Sequence, residues 1–116
     1  MKKFISIGTA IATALLFVAP LPSIAGHWYV GGTLHNATAG EWHKSSYENK
    51  LATAANWTLM DPNIRKVSNK SSSMETVRPY AIELVACVDQ VSVGDSYAAK
   101  KNVSSLAAAC MVSMGW

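Results

Sequence analysis

The chain has two cysteines, Cys87 and Cys110, and each falls on an apolar stripe of helical period. Val77, Tyr80, Leu84, Cys87, Val88 and Val91 share one face of a helix; Val103, Leu106, Ala107, Cys110, Met111 and Met114 share one face of the next. Consecutive helices that must both bury such stripes pack as an antiparallel hairpin, which brings the two sulfurs together. A disulfide is therefore expected. The loop it closes is worth roughly 3 kcal/mol in the chain-entropy model, a large share of the total of about 5–10 kcal/mol expected for a domain this small. The alternatives are two buried thiols acting as small hydrophobes, or a metal site, for which further ligands at suitable spacing are lacking.

The N-terminus indicates where such a bond could form. Met1-Lys2-Lys3 is a positive start, Phe4 to Ala19 an uncharged apolar run, and Pro20-Leu-Pro-Ser-Ile-Ala25 a small-residue exit. This is the pattern of a secretory signal peptide, with cleavage expected after Ala25. A membrane anchor needs a span of about 20 apolar residues, and Pro20 and Pro22 break the helix before that length is reached. Export to the periplasm or exterior is the expectation, and disulfides persist in those compartments. Four Asn-x-Ser/Thr triplets, at Asn36, Asn56, Asn69 and Asn102, arise readily in a chain rich in these residues, and the short Lys-Lys leader has a bacterial character.

Residues 26–116 read as a single helical domain. Without Lys2 and Lys3, eight Lys and Arg stand against seven Asp and Glu. Those cations are scattered, whereas a nucleic-acid binder needs a one-sided basic surface, so nucleic acid is not the expected partner. Nor is a membrane, because the longest uncharged stretch after cleavage, Asn102 to Trp116, is too short and too polar to span one.

The spacing of apolar residues predicts an all-α fold, a small three-helix bundle with one interhelical disulfide. The first helix is expected over residues 39–60. Thr38 and Glu41 form a capping box before Trp42, the stripe Tyr47, Leu51, Ala54, Ala55, Thr58 follows, and Asp61-Pro62 ends it. Residues 61–73, with only Ile64 and Val67 as apolar anchors, read as a surface loop. Ser72 with Glu75 could cap the second helix, but a start at Thr76 is preferred because it puts Pro79 in the first turn, where no hydrogen bond is lost; Gly94 stops that helix. The third begins from Asp95 or Ser96, or from Asn102, and ends at Gly115.

Candidate functional residues are few. His35, Glu41 and His43 cluster in sequence and are the candidates for a small metal site or enzyme. If one helix ran through His35 and His43, however, they would stand about 12 Å apart along its axis, too far for one ion. No nucleophile elbow, zinc-binding His-Glu-x-x-His or phosphate loop is present, so no catalytic residue, metal or cofactor is assigned. Trp28, Tyr29 and Trp116 stand near the ends of the mature chain, where they serve either as lids on a small core or as contacts for a partner.

The segment Tyr80-Ala-Ile-Glu-Leu-Val-Ala-Cys-Val-Asp-Gln90 and the ending Ser105-Leu-Ala-Ala-Ala-Cys-Met-Val-Ser-Met-Gly-Trp116 resemble the stapled helices of small bacterial periplasmic proteins. These include acid-stress chaperones of the HdeA kind and immunity proteins that neutralise periplasmic toxins. The chain departs from the chaperones in having both cysteines near the C-terminus and fewer charges, so no binding residue carries over. The resemblance implies an exported, non-enzymatic protein that binds another protein in a toxin-neutralising or stress-protective role.

Overall fold

The computed structural model describes residues 27–94 and 96–116; the expected leader and the Asp95 cap lie outside them. The chain is all-α. Its helices are α1 (Ala39–Lys44), α2 (Tyr47–Thr58), α3 (Pro62–Ser71), α4 (Arg78–Val91), α5 (Ser96–Ala99) and α6 (Val103–Ser113), with a 3₁₀ turn at Met74–Thr76 before α4. Helix α4 is central. α2 and α6 each pack against it, with little contact between themselves, and the Cys87–Cys110 disulfide joins α4 to α6.

The helix expected over residues 39–60 is two helices, because serine chemistry breaks it. Ser45 and Ser46 both adopt extended backbone. Ser45 Oγ donates back to Glu41 O at 2.9 Å, and Ser46 Oγ accepts from Asn49 N–H at 3.2 Å. Such local bonds compete with the helical ladder and favour helix ends. The Thr38–Glu41 capping box forms at the start of α1.

The surface loop expected over residues 61–73 is corrected to a helix for most of its length. Asp61-Pro62 ends α2 and starts α3 at once. The residue before proline is pushed to extended backbone, which is also the N-cap conformation, and Asp61 Oδ2 accepts from the amides of Asn63 and Ile64, each at 3.1 Å. Proline at the first helical position costs nothing, since its missing N–H would have had no partner there. Ile64 is the one buried residue of α3; Val67, the other expected anchor, is exposed. Arg65 fastens the corner by donating from Nε to Leu59 O at 2.9 Å and from its guanidinium to Met60 O at 3.4 Å.

Pro79 lies in the first turn of α4, as the later start required, although neither Thr76 nor Ser72 is the cap. Ser73 caps the 3₁₀ turn through Glu75 N–H at 3.1 Å, and that turn feeds directly into the helix. Both starts considered for the third helix exist, as separate pieces: α5 begins at Ser96, and α6 begins after Asn102, whose Oδ1 accepts from Ser104 N–H at 2.9 Å. An isolated antiparallel bridge, Thr38 to Asn102, ties the start of α1 to that of α6, through Ala39 N–H to Lys101 O at 2.8 Å and Val103 N–H to Ala37 O at 2.9 Å.

Trp42, Leu51, Trp57, Leu84, Val85, Val88 and Val103 lie in the core. Trp42 and Trp57 stack with ring centroids 5.7 Å apart. Tyr47 and Val91, expected on the buried stripes, are exposed, because each stands at the end of its helix where neighbouring elements no longer cover it. The segment before α1 lies along a polar stripe of α2. Asn49 Oδ1 accepts from Thr33 N–H at 2.8 Å, Thr53 Oγ1 from Leu34 N–H at 3.2 Å, and Asn56 Oδ1 meets His35 Nε2 at 2.9 Å. A side chain at Gly32 would overlap the Thr53 backbone, so this close approach requires glycine.

Candidate functional site

Two arrangements could carry function: a polar cluster at one end of the bundle, and an apolar cleft beside α6. The cluster is built on Asp89. Its Oδ1 accepts from Trp42 Nε1 at 2.7 Å and from Lys50 Nζ at 3.0 Å, and the ammonium lies 5.7 Å from the centre of the Trp42 ring. Close by, His43 Nε2 and Ser92 Oγ are 2.7 Å apart, while Ser92 Oγ donates to Asp89 O at 3.2 Å. Serine, histidine and aspartate are thus neighbours, but their geometry is not that of a nucleophile, base and orienter. Ser92 is only 3% exposed, and the Asp89 carboxylate is engaged by Trp42 and Lys50. The histidine of a working triad lies between the serine and the carboxylate. Here the three residues fasten α1 and α2 to the C-terminal end of α4.

The metal candidates are held in separate places. His35 bonds Asn56 on α2, Glu41 Oε1 accepts from Thr38 N–H at 2.8 Å within the capping box, and His43 faces Ser92. Among the described residues, no group of three or more His, Cys, Asp or Glu is placed to hold a metal ion.

The aromatic ends are half-buried and fixed by specific contacts. Trp28 Nε1 donates to Glu75 Oε2 at 2.9 Å, the Arg78 guanidinium lies 5.5 Å from the centre of its ring, and Tyr29 meets it edge-on at 5.5 Å. Trp116 is positioned by a Schellman turn. Gly115 is left-handed at φ +79°, its N–H bonds Val112 O at 3.1 Å, and Trp116 N–H bonds Met111 O at 3.2 Å. This turn lays the indole back on the bundle, edge-on to Tyr80 at 5.6 Å.

Trp116 also lines a cleft. The cavity, about 380 Å³, lies between the end of α2, the start of α3 and the side of α6, and is lined chiefly by Trp57, Met60, Pro62, Ala107, Met111 and Trp116. Met60 and Val112 are 69% and 79% exposed at its mouth. The polar residues of its lining are Asp61 and Ser104. Asp61 Oδ2 caps α3, and Ser104 Oγ donates to Asn102 Oδ1 at 2.5 Å. What the cleft offers an incoming group is therefore mainly apolar carbon, thioether and indole.

The sequence pointed to Trp116 and to the turn at Gly115, but not to the cleft, since Met60 belongs to a segment read as the end of one long helix. Nothing local marks Asp89 as the partner of Trp42 and Lys50. Among the described residues, no helix is long and apolar enough to cross a membrane. In comparisons with known proteins, no family model, curated protein or solved structure matches this chain.

Proposed function

We propose that this chain is an exported, non-enzymatic binding protein that engages another protein at the cleft beside α6, in a toxin-neutralising or stress-protective role. The observation that carries the reading is the exposure of Met60 and Val112 at the mouth of a cleft walled by Trp57, Met111 and Trp116. Large exposed apolar groups at a concave site favour interaction. Thioether chains adapt to the surface they meet, and a tryptophan held in place supplies the kind of anchor that dominates binding energy. The disulfide is consistent with an oxidising compartment, and the leader pattern supplies the route to it.

The test starts from the gene adjacent to this one, whose product is the candidate partner. Co-expression with that product should protect cells. Met60→Asp and Val112→Asp should each abolish protection with little change in melting temperature, and His35→Ala with His43→Ala should retain it. Loss of protection in the histidine pair together with full protection by both cleft variants would overturn the reading in favour of a histidine-centred site. N-terminal sequencing of the exported protein should begin at Gly26.

A further inference from the structure

We infer that the cleft beside α6 is a site for one small organic cation, an ammonium group carried on a compact apolar body of one or two rings. The inference goes beyond the partner reading and concerns the free protein, so the two stand or fall on different measurements. Three features lead to it: the size of the cavity, the fixed position of its walls, and the chemistry of the two polar groups that line it.

A cavity of about 380 Å³ lies at the lower end of the range for small-molecule sites, roughly 300–1,000 Å³, and is too small for an element of a folded partner. Its walls are held in place before anything binds. Trp57 is 6% exposed and stacks on Trp42 with ring centroids 5.7 Å apart. Trp116 is returned to the bundle by the turn at Gly115 and meets Tyr80 edge-on at 5.6 Å, while the disulfide fixes α6 against α4. Binding to such walls avoids the cost of ordering them, which otherwise consumes much of a small ligand's interaction energy.

The lining states what the occupant must present. Of its residues only Asp61 and Ser104 are polar, and Asp61 alone is charged. Asp61 Oδ2 accepts from the amides of Asn63 and Ile64, which leaves Oδ1 open, and no ion pair engages Asp61 among the described residues. Ser104 Oγ gives its proton to Asn102 Oδ1 at 2.5 Å and keeps its lone pairs. Both open groups are therefore acceptors, so the polar end of the occupant must donate, and a carboxylate favours a donor that is itself charged. The faces of indole rings such as Trp57 and Trp116 attract cations as well, and the thioethers of Met60 and Met111 adapt to an apolar body. Arg65, the cation of this corner, donates to Leu59 O and Met60 O and is not part of the lining. A wholly apolar occupant would press against the carboxylate without pairing it, and an anion would meet it as a like charge.

Compounds that share a naphthalene body and differ in their polar end test this by isothermal titration calorimetry on the full mature protein: 2-naphthylmethylammonium, 2-naphthylmethanol and 2-naphthoate. The ammonium should bind one to one, about three- to tenfold more tightly than the alcohol, with the carboxylate weakest. Nuclear Overhauser effects should place its rings against the indoles of Trp57 and Trp116. Asp61→Asn keeps a side-chain oxygen for the cap of α3 and should remove the preference for the ammonium with folding intact by circular dichroism. Ala108→Trp, at an exposed position of the lining, should block binding by filling the cleft, whereas Ile82→Trp, exposed on α4, should leave it unchanged. No saturation by the ammonium at about 1 mM overturns the inference, as does a carboxylate that binds as tightly, a preference that survives Asp61→Asn, or ring contacts away from the two indoles. So does a dimer in sedimentation velocity that Ala108→Trp dissociates and the ammonium does not.

Discussion

Replacing Asp89 tests how one end of the bundle is held. One carboxylate oxygen accepts from both Trp42 Nε1 at 2.7 Å and Lys50 Nζ at 3.0 Å. Trp42 is fully buried, so Asp89→Ala leaves an indole N–H without a partner and away from water, at a cost of about 1–3 kcal/mol. The ion pair is partly wet, with side-chain exposures of 12% for Lys50 and 40% for Asp89, so solvent screening holds its share to about 0.5–1 kcal/mol. The alanine variant should therefore lose about 1.5–4 kcal/mol. Asp89→Asn keeps a carbonyl oxygen for Trp42 and gives up the charge, so it should lose only about 1 kcal/mol, less in high salt. Urea titrations followed by circular dichroism and tryptophan fluorescence measure both losses. Equal losses for alanine and asparagine would refute the argument, because the hydrogen bond to Trp42 would then contribute nothing.

The remaining predictions concern the staple, the glycine contact and the last residue. Cysteines 23 residues apart close a loop worth about 3.4 kcal/mol in the chain-entropy model. Cys87→Ser and Cys110→Ser should both lose roughly that amount in denaturant titrations, and Cys110→Ser about 1–2 kcal/mol more, since its hydroxyl enters a buried site. Two alkylatable thiols in the native protein would contradict the bond itself. Gly32→Ala should cost about 1–3 kcal/mol through overlap with the Thr53 backbone, whereas Gly40→Ala, inside α1 where an added Cβ meets nothing nearer than 3.4 Å, should cost nothing, and thermal melts that reverse this order would count against the close approach. Trp116→Ala should cost about 1–2 kcal/mol, below the full burial value, because the indole is half-buried; a variant as stable as the parent would show that the ring contributes no packing.

The features legible in the sequence are those governed by neighbours a few residues away or by a steady period. The apolar stripes of α4 and α6, the Thr38–Glu41 box, Pro79 in a first turn and the reversal at Gly115 are all of this kind. The break at Ser45–Ser46 was hidden because serine is compatible with a helix interior as well as with its ends, and the choice depends on local bonds that spacing does not express. Helix α3 was hidden because only Ile64 is buried on it, too little to set a period; its signal was the Asp-Pro pair, read as a stop although it serves equally as a start. Asp89 lies 47 residues from Trp42 and 39 from Lys50. Only the assembled bundle brings those groups together.

The cleft follows from how α6 is attached. A helix usually docks by burying large side chains, but the fully buried residues of α6 are Val103, Ala107 and Cys110, of which alanine contributes little apolar area. Its position depends on what lies beside that short stripe: the bridge to Thr38 at its start, the disulfide to α4, and the Schellman turn that returns Trp116 to Tyr80. Anchored by a bridge, a covalent bond and a terminal ring, α6 does not need its outer face for packing within the chain. Nor does that face carry charge. Polar groups at the adjacent corner are committed to caps, with Asp61 serving α3 and Arg65 the end of α2. Those attachments are why the outer face of α6, exposed at Ser105, Ala108, Ala109 and Val112, carries no charge and no packing role among the described residues.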